Sequence, residues 1–110
     1  MTVPYTRTIL FKTKDIEVVL IDWKPGDKSP VHEHGECLGY FKILRGELFE
    51  RPFTKKGKQF VEGKTRVYKK GDYGAEMALG VHQVGNTTKS TAQSLHVYLP
   101  PVKNKIVKTT

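Results

Sequence analysis

Apolar residues in this chain come in short runs rich in β-branched side chains, cut by glycine and proline. No stretch repeats its apolar positions at the helical period between capping residues, so the pattern predicts strands throughout. The run P-Y-T-R-T-I-L-F (4–11) predicts a strand with Tyr5 and Arg7 on one face. D-I-E-V-V-L-I-D-W (15–23) alternates in part and predicts a buried strand, ended by turn chemistry at Lys24-Pro25-Gly26-Asp27. A strand bearing His32 and His34 follows. The segment 38–53 predicts two strands about a tight turn containing Gly46, and K-K-G-K is a second turn. Q-F-V-E-G-K-T-R-V-Y predicts a further strand or pair, and Lys70-Gly71-Asp72 another turn. A-E-M-A-L-G, V-H-Q-V and A-Q-S-L-H-V-Y-L complete the series before the stop at Pro100-Pro101. Many short strands joined by glycine and proline turns predict an all-β sandwich or barrel.

Composition narrows this picture only a little. The 110 residues, without repeat or linker, predict one domain spanning 1–110 with its own core. Cys37 is the single cysteine, so no intramolecular disulfide forms. No long apolar run or basic-then-apolar leader is present, and the expectation is a cytoplasmic protein that does not enter a membrane. A net charge of +8 raises the question of nucleic acid. The lysines, however, scatter over turns (Lys55, Lys56, Lys58) and the tail (Lys103, Lys105, Lys108), with no organising motif and no interleaved aromatics. They are expected to be solvated, and nucleic acid is not expected as a partner.

The histidines carry the chemistry. His32 and His34, two residues apart on a strand, project from one face, where two imidazoles can share a metal ion. His82, in G-V-H-Q-V-G-N, can join them if the chain folds back on itself. Three of the four histidines fall at cupin motif positions, as the spacing Gly26, His32, His34, Gly39, Gly46 resembles the first cupin motif and Gly71, His82, Asn86 the second, while His96 lies in the block S-L-H-V-Y-L. Met77 and Leu79 stand where the second motif usually has proline and glycine, and Gly39 where the first usually has a glutamate ligand. The resemblance implies a double-stranded β-helix, the small jelly-roll barrel of the cupins, with a metal inside. Three neutral imidazoles in place of two and a carboxylate leave a divalent ion near about +2 instead of about +1, which suits an anionic ligand such as a thiolate.

Four ordered blocks, Y-T-R, H-E-H with K-I-L-R-G, G-V-H-Q-V-G-N and S-L-H-V-Y-L-P-P, together resemble the cysteine dioxygenase family from Tyr5 to Pro101. The resemblance implies Fe(II) on His32, His34 and His82, with nickel, zinc or manganese able to replace it in a purified sample. It implies that Arg7 pairs with a substrate carboxylate, that Tyr5 lines the same pocket, and that Ser94, His96 and Tyr98 form a hydrogen-bonded relay on the last strand. These three alternate with Leu95, Val97 and Leu99, so one strand can aim the polar set inward and the apolar set into the packing between sheets. The implied reaction takes L-cysteine and O2 to cysteine sulfinate. Arg7, where relatives acting on 3-mercaptopropionate tend to have glutamine, favours cysteine among thiols.

Gly39 also stands where many members carry a cysteine crosslinked to the tyrosine, so an unmodified Tyr98 is expected, with Cys37 a small buried filler. Glu36 reaches the metal only if its strand bulges and is read as a solvated or hydrogen-bonded side chain. The chain starts almost at Tyr5, where many relatives have preceding helices, and a minimal, more open barrel is expected. Three other readings stay open: a dioxygenase acting on 3-mercaptopropionate or another thiol, a non-catalytic metal-binding cupin module, and a different metal-dependent cupin enzyme. Nothing in the sequence sets the oligomeric state.

Overall fold

The computed structural model describes residues 5–33, 35, 37–76, 80–102 and 105–106, the last two by their backbone alone. His34, Glu36, Met77, Leu79, Lys103 and Lys108 lie outside the described residues. All regular structure among them is strand: β1 (Thr6–Lys12), β2 (Glu17–Trp23), β3 (His32–Glu33), β4 (Leu38–Arg45), β5 (Glu47–Lys56), β6 (Gln59–Glu62), β7 (Arg66–Lys69), β8 (Tyr73–Glu76), β9 (Val81–Gly85), β10 (Ala92–Leu99) and β11 (Lys105–Ile106). No helix there is long and apolar enough to cross a membrane. The run 59–68 resolves into two strands, β6 and β7, which pair with successive parts of β5.

The strands form two antiparallel sheets, one ordered β1-β2-β10-β4-β8 and the other β11-β3-β9-β5-β6, with β7 also on β5. This is the double-stranded β-helix that the motif spacing implies. The β4 and β5 strands do not form a hairpin. They lie in different sheets, and Gly46 is the corner between them, with φ of 74°. A Cβ at Gly46 would lie 2.9 Å from the Ala92 Cα and the Thr91 carbonyl, so only glycine lets the chain cross so close to β10.

The alternation read in residues 15–23 is realised in β2, where Glu17, Val19, Ile21 and Trp23 point in and the intervening residues are half-buried. They join Phe41, Ile43, Leu48, Ala92 and Tyr98 in the core between the sheets. The inward positions of β10 are Ala92, Ser94, His96 and Tyr98. Leu95 and Val97 are half-buried on the opposite face and Leu99 is exposed, so the apolar set does not fill the space between the sheets. The interior of this barrel holds the polar chain, because the site and the core share one cavity. The strand ends at a cis Leu99–Pro100 peptide.

Asn86, fully buried, ties the start of the histidine segment to β9. Its Nδ2 donates to the carbonyls of Trp23 and Ser90, while its own carbonyl accepts from the Gly26 N–H. At the edge of the first sheet, β1 pairs with β2 alone among the described residues and slips register between Ile9 and Phe11. It leaves Ile9, Leu10 and Phe11 more than half exposed.

Candidate active site

Strands β3 and β9 are antiparallel neighbours with His32 directly opposite His82. Residues so paired share a face, and the two rings lie 4.7 Å apart at an angle of 56°. Both residues are buried. The His32 Nδ1 lies 2.8 Å from the Pro30 carbonyl and the His82 Nδ1 lies 2.9 Å from the Glu50 carboxylate. Each partner is an acceptor, so in both rings Nδ1 carries the proton and Nε2 keeps the lone pair that can bind a metal.

Burial and the neighbouring His82 pull the His32 pKa down to about 4, so this ring is neutral near pH 7. For His82, burial acts downward, but the carboxylates of Glu50 and Glu76 outweigh it and the net shift is upward.

Two carboxylates that the motif spacing does not single out lie beside His82. Among the described residues Glu50, Glu76 and His82 bring ligand atoms within 4.8 Å of one another. Glu50 is engaged with the His82 Nδ1, whereas Glu76 approaches the metal-binding edge, with Oε1 3.9 Å from Nε2. Burial drives the Glu76 carboxyl above the usual carboxylate range, and His82 partly counters this. Two imidazoles on paired strands, each with its Nε2 lone pair set by the partner of its Nδ1, are ligands that suit Fe(II), Mn(II) or a similar divalent ion.

A small pocket, partly open to solvent, adjoins the two rings and is lined in part by Tyr5, Arg7, Glu76, His96 and Tyr98. Arg7 enters it from β1. Its Nη2 is buried and makes no hydrogen bond among the described residues. Tyr5 stacks on Trp23 with ring centroids 4.5 Å apart, and its hydroxyl pKa is raised by burial.

Behind the pocket, the indole Nε1 of Trp23 donates to Ser94 Oγ at 2.9 Å, and Ser94 Oγ lies 2.7 Å from His96 Nε2. Ser94 is fully buried, so its single proton goes to that nitrogen rather than being left without an acceptor. His96 then carries its proton on Nδ1 and donates to the Tyr98 hydroxyl at 3.3 Å, which turns the Tyr98 O–H away from His96 as a donor. Burial, with Arg7 and His82 nearby, lowers the His96 pKa to about 3. Burial and then Glu76 raise that of Tyr98 well above the phenolic value, so both are neutral at pH 7.

The fold thus gathers Tyr5, Arg7, His32, His82, His96 and Tyr98 around one cavity, with Ser94 supporting it from the core. Cys37 is buried in the core cluster that includes Tyr98, as a filler would be, and burial raises its thiol pKa.

The sequence matches the family model described as cysteine dioxygenase type I over residues 2–107. It is 26% identical to cysteine dioxygenase type 1 of Bos taurus, over 96% of this chain and 62% of that protein. To cysteine dioxygenase type 1 of Homo sapiens it is 29% identical, over 88% of this chain and 52% of that protein. The chain therefore spans between half and two thirds of the length of these relatives. The fold resembles a Klebsiella pneumoniae protein described as having a double-stranded β-helix domain, with a TM-score of 0.79 and 19% identity over 96% of this chain and 80% of that one. With a match over nearly all its length, this chain belongs to the cysteine dioxygenase type I family.

Proposed function

We propose that the chain is a thiol dioxygenase that converts L-cysteine and O2 to cysteine sulfinate at a mononuclear Fe(II) held by His32, His34 and His82. The observation that carries this reading is the buried Arg7 Nη2 without a hydrogen-bond partner among the described residues, in the same pocket as His32 and His82. A buried guanidinium nitrogen left in that condition costs free energy unless an acceptor meets it, and a carboxylate fits the planar fork. Family membership supports the same substrate class.

Bound iron would supply the redox chemistry that joins dioxygen to the thiol sulfur. The sulfur is oxidised as both oxygen atoms of O2 end on it, so the balance requires no outside reductant. The chain's own residues bind and orient. Arg7 fixes the carboxylate, and Tyr5, held against Trp23, walls the pocket beside it. Pro30 and Glu50 hold the two imidazoles in one tautomer. The Tyr98 O–H, set by His96 and Ser94, donates a hydrogen bond to oxygen or sulfur atoms of the reacting thiol and dioxygen. A thiol without the carboxylate leaves Arg7 unpaired, which gives the preference for cysteine over cysteamine.

The test is anaerobic loading with Fe(II), then oxygen uptake and product analysis on L-cysteine, 3-mercaptopropionate and cysteamine. One O2 consumed per cysteine sulfinate formed is the expected result. Arg7→Ala should raise KM for cysteine by roughly 10- to 100-fold, the scale of a lost charge-assisted hydrogen bond, with a smaller effect on kcat. Iron-loaded protein that consumes no oxygen with any thiol would leave a non-catalytic metal-binding cupin module as the reading.

A further inference from the structure

The first sheet has β10 at its centre, flanked by β2 and β4 and then by the edge strands β1 and β8. Its inner face holds the site and the core, and its outer face is largely apolar across the full width. One row there runs Phe11, Val18, Val97, Tyr40 and Ala75, each opposite the next on the neighbouring strand and so on the same side. A second row runs Thr8, Leu20, Leu95, Lys42 and Tyr73. A third carries charge, with Asp22 on β2, Gln93 on β10 and Arg45 on β4. Tyr73 is 79% exposed, Phe11 and Tyr40 at least half, and the pair Leu38 and Leu99 is exposed as well. Five strands about 4.8 Å apart and roughly 20 Å long make a face on the order of 500 Å2 in outline, at the upper end of the patches that soluble monomers leave uncovered.

We infer that a second copy of this chain covers this face, in a two-fold dimer packed sheet on sheet with the axis running along β10. The sheet is complementary to itself about that axis. The rotation lays β2 over β4 of the second copy and β1 over its β8, and keeps each row over its own counterpart. Tyr40 of one copy then meets Val18 of the other, Phe11 meets Ala75 and Tyr73 meets Thr8, so each ring lands on a small side chain. Val97 and Leu95 meet their own counterparts at the axis, and Lys42 lays its apolar stem along Leu20 with its ammonium turned to water. In the third row Asp22 of each copy meets Arg45 of the other, an opposite-charge pair on either side of the axis. An axis turned across the strands would lay β2 on β2 and β4 on β4, which parts Asp22 from Arg45. Aligned packing of two twisted sheets is the geometry of β-sandwiches. The outline of about 500 Å2, with side-chain relief added, approaches the roughly 800 Å2 per partner of a standard interface. Two chains of net charge +8 repel at a distance, so salt tightens this dimer.

Sedimentation equilibrium of the parent chain over a range of concentrations, at low and at moderate salt, reads the association directly. We expect the mass of two chains at about 100 μM, and a dissociation constant that falls as salt is raised. Tyr40→Ala and Tyr73→Lys should each weaken the dimer by roughly tenfold or more with circular dichroism unchanged. Tyr73→Lys alters a side chain that already stands in solvent, so it keeps the test intact if Tyr40→Ala disturbs the fold. Arg45→Asp should weaken the dimer by about tenfold, and adding Asp22→Arg should restore most of that loss, because the reversed pair meets again across the axis. A parent chain that stays monomeric up to roughly 1 mM overturns the inference. A dimer indifferent to Tyr73→Lys, Tyr40→Ala and Arg45→Asp is held by another surface and overturns it equally. If Asp22→Arg fails to rescue Arg45→Asp, the axis along β10 is wrong.

Discussion

Replacing Ser94 by alanine removes one oxygen atom from the centre of the Trp23, Ser94, His96, Tyr98 chain. That atom accepts from the Trp23 indole at 2.9 Å and donates to His96 Nε2 at 2.7 Å, and the residue has no solvent exposure. Water cannot replace either bond without a rearranged core, so an indole N–H and an imidazole nitrogen are left buried and unmatched. At about 1–3 kcal/mol for each unsatisfied group, Ser94→Ala should cost roughly 3 kcal/mol. A chain of this size has a urea m-value on the order of 1.5 kcal/mol/M, so the midpoint of the metal-free protein should fall by about 2 M with no change in m. Trp23→Phe removes the donor on one side. In that background the cost of Ser94→Ala should shrink by about 1 kcal/mol, a coupling that a double-mutant cycle resolves. Because His96 also loses the contact that sets its tautomer, turnover of cysteine should fall while KM stays near the parent value. A urea midpoint close to the parent's, or a cost for Ser94→Ala that is the same with and without Trp23→Phe, would refute the assigned direction of these hydrogen bonds.

The His82 to Glu50 contact predicts that Glu50→Gln, which can still accept from Nδ1 but carries no charge, lowers divalent metal affinity by about 10- to 100-fold, as measured by competition with a chelating dye. Stability of the metal-free protein should fall with acid through the histidines held neutral in the fold. His96, with a folded pKa of about 3 against 6.5 when unfolded, takes up its proton only on unfolding between those values, so its contribution is complete above pH 6.5 and is lost as pH drops toward 3. The loss from pH 7 to pH 5 is about 2 kcal/mol for this group, and His32, with a folded pKa of about 4, adds a loss of the same sign. His82, shifted upward, acts in the opposite direction. Urea titrations of the parent and of His96→Gln over this range should diverge accordingly, and parallel pH profiles would contradict the assignment.

Strand periodicity made β10 readable in advance. A period of two leaves little choice once Ser94, His96 and Tyr98 alternate with apolar neighbours, but it does not say that the apolar set lies outside, which follows because the interior of a small barrel serves as both core and site. His32 and His82 could be paired from motif spacing, and the structure sets them in register. The carboxylates were not visible in the same way. Glu47 and Glu50 both lie on β5, and only the pairing of β5 with β9 turns Glu50 toward His82. Glu76 follows a turn and a glycine like any surface residue. Its approach to His82 depends on a register with Gly39 that no local pattern encodes. The one sign is the glycine at position 39, whose missing side chain leaves room for Glu76. Gly46 was recognisable as a turn, but whether a turn closes a hairpin or carries the chain to a second sheet is decided by long-range pairing.

The strand that brings Arg7 into the pocket is the edge strand β1, bound on one side only among the described residues and slipping register midway. Edge strands with few buried contacts open more readily than the strands they flank, so amide hydrogens of β1 should exchange sooner than those of β10. An anion gripped by Arg7 binds the docked strand and not the detached one, and its binding free energy therefore adds to the work of peeling β1 away. Substrate recognition and the attachment of this strand are in that way one equilibrium: saturating the pocket slows exchange along residues 6–12, and loosening the strand weakens the grip on the carboxylate by the same factor.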